Sequence, residues 1–306
     1  MKDRESVVLQ NQKKGYRSGF VAILGAPNVG KSSIMNRFVG EKVSIVSNRP
    51  QTTRTKLLGV ASREGVQIVF VDTPGLHRPR TKLGEYMMSA AKEAKEGVDA
   101  VLFVTDGQHI SSPELMQEAL KMNCPKFLAV NKIDICAHED LMPQMVKLND
   151  LGFDEVVPVS ARTGKNMEVL WKLIAEAMPE GPQYFPDDMI TDQPEQILVG
   201  EIIREKALRN LSEEIPHGVG VEMLSMKKMS DRLTEIHANV YCEKESHKSI
   251  IIGKHAAMLK KIGSEARYDI ERLLGVKVML QLWVKVREDW RNKPVDLKTL
   301  GYVKEE

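Results

Sequence analysis

The sequence predicts an α/β protein in two parts: a mostly parallel, doubly wound sheet domain followed by a smaller α+β domain. Three observations predict it. Residues 19 to about 178 alternate short β-rich runs with helical patterns. Several of those runs are apolar almost throughout, as strands covered on both faces are. After a stretch rich in proline, glycine and aspartate the pattern changes to helix, strand, strand, helix, strand.

The strands of the first part are read at "FVAILG", "TKLLGVAS", "VQIVFVDT", "DAVLFVTDG", "KFLAVNKID" and "EVVPVSA", with helices at Lys31 to Val39 and Lys165 to Met178. Glu64-Gly65 reads as a hairpin turn, which makes one strand antiparallel. "MPEGPQYFPDDMITDQPE" stops helices and strands alike and is read as the linker. The expected boundaries are therefore a tail over 1–18, the first domain over 19–180, a linker over 181–195 and the second domain with its C-terminal tail over 196–306. In that second domain "EQILVGEIIREKALRNL" reads as a helix, and "VGVEMLSMKKM", "TEIHANVYCE" and "VKVMLQLWVKVRE" read as strands. Between the last two, "SIIIGKHAAMLKKIG" (Ser249 to Gly263) reads as a strand ending, a tight turn and a helix starting.

Composition bounds the function. The chain has 306 residues, a net charge of +2 and 28% charged residues, the profile of an ordinary soluble protein of about two domains. A nucleic-acid partner would need positive charge gathered locally. The 3 cysteines, Cys124, Cys136 and Cys242, lack metal or redox spacing and read as buried thiols of a reducing cytosol. The 7 histidines show no zinc pattern. No apolar run approaches the roughly 18 residues of a membrane span, and the charged first residues do not form a signal peptide.

"GAPNVGKS", Gly25 to Ser32, follows a strand and opens a helix, the context a phosphate loop requires. Gly25 and Gly30 let backbone N–H groups close around phosphate oxygens, with Asn28, Val29 and Ser33 completing the loop. Lys31 offers charge to the β- and γ-phosphates, and Ser32 offers a hydroxyl to Mg2+. "DTPG" places Asp72 in the magnesium shell and the Gly75 N–H toward the γ-phosphate. In "RPQTTRT", Thr53 (or Thr52) supplies a second hydroxyl to the metal. Lys31, Thr53 and Gly75 are thus the expected catalytic residues.

"NKID" selects the base. The Asp134 carboxylate accepts only, and guanine faces it with two donors where adenine has none. The Lys132 stem covers the base while Asn131 ties loops together. Ser160-Ala161 completes the set, with the Ala161 N–H toward the guanine oxygen. The expected ligands are GTP and GDP with Mg2+. Leu76 stands where many GTPases carry a water-orienting glutamine, so unaided hydrolysis is expected to be slow. Asn28 could help hold a monovalent cation such as K+, or simply brace the loop. Arg49 and Arg54 could donate charge to the phosphates, or be solvated switch residues.

A KH-type RNA clamp wants glycine, two residues, then glycine. Here the run is Gly253-Lys254-His255-Ala256. Ala256 is expected to open the next helix with φ below zero, where a methyl costs nothing. Lys248, Lys254, Lys260, Lys261 and Arg267 gather charge nearby. The last strand alternates, with Val278, Leu280, Leu282, Val284 and Val286 on a core face and Met279, Gln281, Trp283, Lys285 and Arg287 on the other. Trp283 could stack a base or pack against protein, and Trp290 carries the same ambiguity.

Together, "GAPNVGKSS", "RPQTTRT", "VDTPGLH", "NKID", "VSARTGKN", "QYFPDDMITDQPE", "SIIIGKHAAMLKKIG" and "LWVKVREDWR" resemble the Era GTPases over about Gly19 to Tyr302. The resemblance implies a GTPase domain and a type II KH domain. It implies binding to the 3′ end of 16S ribosomal RNA during assembly of the 30S subunit, by a cytoplasmic monomer with peripheral contact with the inner membrane. Gly253, Lys254, His255, Ala256, Lys260, Lys261, Arg287 and Trp290 become the expected RNA-facing residues. A passive RNA binder with a structural nucleotide site, and a tRNA-modifying GTPase, are the alternatives. The KH pattern and the absence of a C-terminal catalytic cysteine argue against the second.

Overall fold

The computed structural model describes residues 15–46, 53–54, 57–72, 81–83, 97–111, 113–211 and 215–302. It divides into two compact units. The first comprises Met1–Ser44, Lys56–Leu76 and Ala90–Asp192, and the second Ile45–Thr55, His77–Ser89 and Gln193–Glu306.

The first unit is a six-stranded sheet of β1 (Arg17–Leu24), β2 (Leu57–Arg63), β3 (Val66–Asp72), β4 (Ala100–Asp106), β5 (Lys126–Asn131) and β6 (Glu155–Pro158). The spatial order is β2-β3-β1-β4-β5-β6. The β2–β3 pair is antiparallel across the turn at Glu64-Gly65, and every other pairing is parallel. Helices α1 (Lys31–Val39), α2 (Pro113–Leu120), α3 (His138–Asn149) and α4 (Met167–Ala177) accompany it. Strands β1, β3 and β4 are buried on both sides, as their unbroken apolar runs require. Phe38 of α1 stacks on Phe70 at 5.1 Å, with Trp171 of α4 tilted against both.

Two boundaries differ from expectation. β1 begins at Arg17, and Ser18 is buried with its hydroxyl donating to the Pro182 carbonyl at 2.7 Å. The stretch read as a linker belongs to the first unit as far as Asp192. The Phe185 carbonyl takes the Gln67 side-chain amide, Gly59 bridges Thr191, and the Val60 N–H donates to the Ile190 carbonyl. The reason is the sheet edge: β2 has unpaired backbone groups, and a proline-punctuated chain covers them without continuing the ladder.

The second unit contains α5 (Glu195–Asn210), β7 (Gly220–Ser230), β8 (Leu233–Cys242), α6 (Glu245–Ile252), α7 (Ala257–Leu274), β9 (Lys277–Val286) and α8 (Pro294–Thr299). Its three-stranded sheet has the order β7-β8-β9, antiparallel then parallel. Ile236, Ala238, Val240 and Val278 share one buried core with Val199, Ile203, Ile262 and Ile270, joined by Leu280, Leu282, Val284 and Val286 at its margin. The stretch before Gly253 is a helix, not a strand. Ile250–Ile252 is β-branched and reads as β on propensity, but Ile251 packs into the core as one helical face, and tertiary packing overrides propensity.

A second cluster in this unit joins Leu83, Trp290, Leu297 and Tyr302. Arg54 enters it. Its guanidinium lies 5.5 Å from the Trp290 ring and 5.6 Å from the Tyr302 ring, and donates to the Val219 carbonyl and the Tyr302 hydroxyl. Burial lowers its pKa, the Tyr302 oxygen opposing the shift. Arg54 is 2% exposed, so it is not a solvated switch residue.

Candidate functional site

The phosphate loop leaves β1 at Leu24 and enters α1 at Lys31. Gly25, Asn28 and Gly30 stand at φ 141°, 64° and 100°. A Cβ on Gly30 would run into the Asn131 amide nitrogen, so this glycine is required by its neighbour as well as its backbone. α1 starts with no capping side chain and no acidic residue in its first turn, so its positive end is not neutralised.

Lys31 is buried, and its ammonium donates to the carbonyls of Gly25 at 3.1 Å and Ala26 at 2.9 Å. Burial pushes its pKa down to about 8, against the pull of Asp72. The Ser32 hydroxyl donates to Asp72 Oδ2 at 2.7 Å, and Ser44 donates to the same oxygen at 3.0 Å. Sequence reasoning misses Ser44, because "KVSIVS" carries no motif.

Asn131 occupies the middle of the site. Its Nδ2 donates to the Val29 carbonyl of the phosphate loop at 2.9 Å, and its Oδ1 accepts the Ala161 N–H at 3.0 Å. That last bond departs from expectation, which has the Ala161 N–H facing a guanine oxygen. A buried N–H needs an acceptor, and Asn131 supplies it. Ser160 donates to Asp134 Oδ1 at 2.6 Å, and Arg162 forms an ion pair with the other oxygen. Burial raises the Asp134 pKa, but the Ser160 hydroxyl, the residue's own N–H and Arg162 together hold it below the usual carboxylate range. Lys132 stands at φ 66° and pairs with Asp106 at the end of β4, 2.6 Å away. Sequence reasoning also misses Asp106 and Arg162. Arg162 directly follows Ser160-Ala161, and Asp106 ends a strand as Asp72 does; those positions are the only signals.

Thr53 belongs to the second unit. Gly75 and Leu76, Arg49 and Thr52 lie outside the described residues. Asn28 and Ser33 remain in the loop and the first turn of α1.

In the second unit, Gly253 ends α6 at φ 71°, and a Cβ there would lie 2.8 Å from that of Met258. Lys254 and His255 are exposed, as are Lys260, Lys261 and Arg267 on α7. Lys248 pairs with Glu245 at 3.7 Å. Ala256 contradicts expectation: φ is 60° and ψ 22°, the left-handed region, and His255 before it has φ 52°. The turn closes through the Ala256 N–H to the Gly253 carbonyl at 3.1 Å. The left-handed backbone costs about 1–2 kcal/mol.

Trp290 is not RNA-facing. It is 0% exposed, its Nε1 donates to the Gly218 carbonyl at 2.9 Å, and its ring stacks on Tyr302. An indole N–H in a core takes a carbonyl partner, and this one has done so. Arg287 lies on the outer sheet face, 4.1 Å over the Tyr241 ring and paired with Asp296 at 3.2 Å.

Comparison with known proteins follows the same division. Residues 20–132 match a family described as 50S ribosome-binding GTPase, and residues 214–291 match the KH domain family. GTPase Era of Alkaliphilus metalliredigens is 52% identical over 292 residues, covering 94% of this chain and 99% of that protein. GTPase Era of Clostridioides difficile is 50% identical over 293 residues, covering 94% and 99%. The crystal structure of a single-residue variant of Aquifex aeolicus Era bound to GDP·AlF4− superposes with a TM-score of 0.89 at 39% identity, covering 94% of this chain and 100% of that one. An Era structure in complex with MgGDPNP and nucleotides 1506–1542 of 16S ribosomal RNA gives 0.88 at 39% identity and the same coverage. With relatives this similar along nearly its whole length, the chain belongs to the Era family of GTPases.

Proposed function

We propose that this chain is a GTP-hydrolysing switch that holds the 3′ end of 16S ribosomal RNA during assembly of the small subunit. One observation carries the reading best. Asn131 ties the phosphate loop to the Ser160-Ala161 loop, beside an Asp134 carboxylate kept ionised by its partners. A guanine N1–H and exocyclic amine both donate, and an ionised carboxylate accepts both. The second unit adds the clamp turn and its lysines, and the Era relative bound to nucleotides 1506–1542 of 16S RNA supports the RNA class.

On this reading the loop N–H groups and the start of α1 receive the phosphates, and Lys31 neutralises them. The Ser32 hydroxyl and the Asp72 carboxylate fit Mg2+, a hard cation that takes oxygen donors, and Ser44 fixes the carboxylate. When bound, that ion neutralises charge on the β- and γ-phosphates. Thr53 and the Gly75 N–H complete the γ-phosphate site in the GTP state. Leu76 cannot orient a water, so turnover is slow. Asn28 is the residue that would hold K+, or else it braces the loop, and turnover in K+ against Na+ separates the two. The protein acts as a cytoplasmic monomer that touches the inner membrane peripherally. No helix among the described residues is long and apolar enough to cross a membrane.

The deciding experiment is fluorescence anisotropy of RNA with the sequence of nucleotides 1506–1542, titrated with protein loaded with a non-hydrolysable GTP analogue and then with GDP. The reading expects specific binding, tighter with the analogue. Affinity equal in both states sinks the switch, and affinity no better than for a scrambled RNA sinks the RNA role.

A further inference from the structure

The segments carrying or following two of the nucleotide motifs meet in one cluster. Arg54, the second arginine of "RPQTTRT", and Leu83, downstream of "DTPG", both belong to the second unit. Arg54 lies between the rings of Trp290 and Tyr302, and Leu83 packs with the same two residues and Leu297. Beside Leu83, the Lys82 N–H donates to Asn292 Oδ1 at 3.2 Å. The other described part of the Ile45–Thr55 segment is held in this unit too. Glu205 of α5 accepts the Val46 N–H at 3.3 Å, and Arg209 donates to the Val46 carbonyl from Nε at 3.0 Å and from Nη2 at 2.9 Å. Glu205 is fully buried and pairs with Arg209 at 2.8 Å, so both polar groups of one peptide residue are gripped by an ion pair.

A buried guanidinium is a costly way to fill a core, because an apolar side chain of similar volume serves stability at least as well. What the guanidinium of Arg54 adds is direction. Its bonds to the Val219 carbonyl and the Tyr302 hydroxyl, with a ring on either side, restrict where its own backbone can stand. Thr53 comes immediately before it. Consecutive Cα atoms lie about 3.8 Å apart, so the Thr53 hydroxyl reaches only what one peptide link from Arg54 allows.

We propose that Arg54 is a positioning residue for the γ-phosphate site: held by Val219, Trp290 and Tyr302, it sets where Thr53 can stand and ties recognition of GTP to the C-terminal cluster of the second unit. Its charge stays in the aromatic cage, so it acts through Thr53 and not on the phosphates. The proposal rests on the switch reading above, in which Thr53 serves the GTP state alone.

Fluorescent nucleotides titrated into the full chain test it, GDP against a non-hydrolysable GTP analogue, with urea denaturation alongside. Thr53→Ala is the reference: it should weaken the analogue and leave GDP within about twofold. Arg54→Met keeps apolar bulk and loses the directed bonds. It should weaken the analogue about tenfold and GDP within about twofold, with the urea midpoint little changed. Tyr302→Phe keeps the ring and removes one acceptor, and should weaken the analogue about threefold. Arg54→Lys, still a cation over the rings, should recover part of the loss. In the Thr53→Ala background Tyr302→Phe should weaken the analogue no further, because the cage acts through that hydroxyl.

Equal weakening of GDP and analogue by Arg54→Met, with a lowered urea midpoint, makes Arg54 structural and overturns the proposal. Tighter analogue binding overturns it as well, by making the cage a restraint. Full additivity of Tyr302→Phe with Thr53→Ala does the same. If Thr53→Ala separates the two nucleotides and neither cage variant does, the proposal falls alone. If Thr53→Ala itself fails to separate them, the reading of Thr53 falls and takes the proposal with it.

Discussion

The phosphate loop and the proposed clamp turn ask the same thing of the backbone and answer it with different residues. Each carries three residues at positive φ: Gly25, Asn28 and Gly30 in one, Gly253, His255 and Ala256 in the other. In the loop, left-handed geometry falls to glycine and to asparagine, which tolerates it. In the clamp turn it falls to one glycine, a histidine and an alanine. The neighbours explain what each can bear. A methyl on Gly30 meets the Asn131 amide, which already serves two loops. The methyl of Ala256 has its place, so only the backbone cost remains. A glycine held by backbone and neighbour together is far harder to replace than one held by backbone alone.

The hardest way to break this contrast is to give the loop what the clamp turn tolerates. Gly30→Ala should displace the Asn131 side chain as well as strain the backbone, and weaken GDP by at least about 100-fold, some 3 kcal/mol. Fluorescent-GDP titration measures it, and a loss under about fivefold would mean Asn131 moves aside freely.

Acidity sharpens the contrast next. Lys31 is held at about 8, whereas phosphate beside it favours its charged form. The bound state then carries more protons above pH 8, so GTP affinity falls as pH rises. The expected loss is about fourfold between pH 7 and 8.5, and nothing below pH 7. Calorimetry in two buffers should show proton uptake, and Lys31→Arg should flatten the profile.

Smaller effects belong to the clamp turn. Ala256→Gly should relieve the left-handed strain at some cost in unfolded-state entropy, a net gain of about 0.5–1 kcal/mol in urea denaturation. An unchanged midpoint would mean the turn stores no strain. The same change should tighten short RNA only about two- to threefold, read by anisotropy, because it removes one methyl and no charge.

Legibility follows the same contrast. The loop, Asp72, Asn131 and Asp134 are readable because phosphate and guanine demand those residue types in order after strands. Ser44, Asp106 and Arg162 act only through residues the chain brings to them, and no spacing announces them. The positive φ of Ala256 escapes the sequence because alanine next to a helical pattern normally joins the helix, whereas here it precedes it in the left-handed region. Trp290 stands in a charged phrase, "REDWR", and only the distant partners Gly218, Arg54 and Tyr302 make it core. The β-branched Ile250–Ile252 run misleads for the same reason, since its helix is imposed by packing.

Asn131 carries one more consequence. One side chain holds the phosphate loop by its nitrogen and the Ala161 backbone by its oxygen. On the proposed reading, one amide thereby joins the loop that receives the phosphates to the loop that receives the base, which would couple their binding energies. By reciprocity, whatever a phosphate contributes to ordering the base pocket, the base contributes equally to ordering the phosphate loop. Guanosine and pyrophosphate, added separately, should each help the other bind.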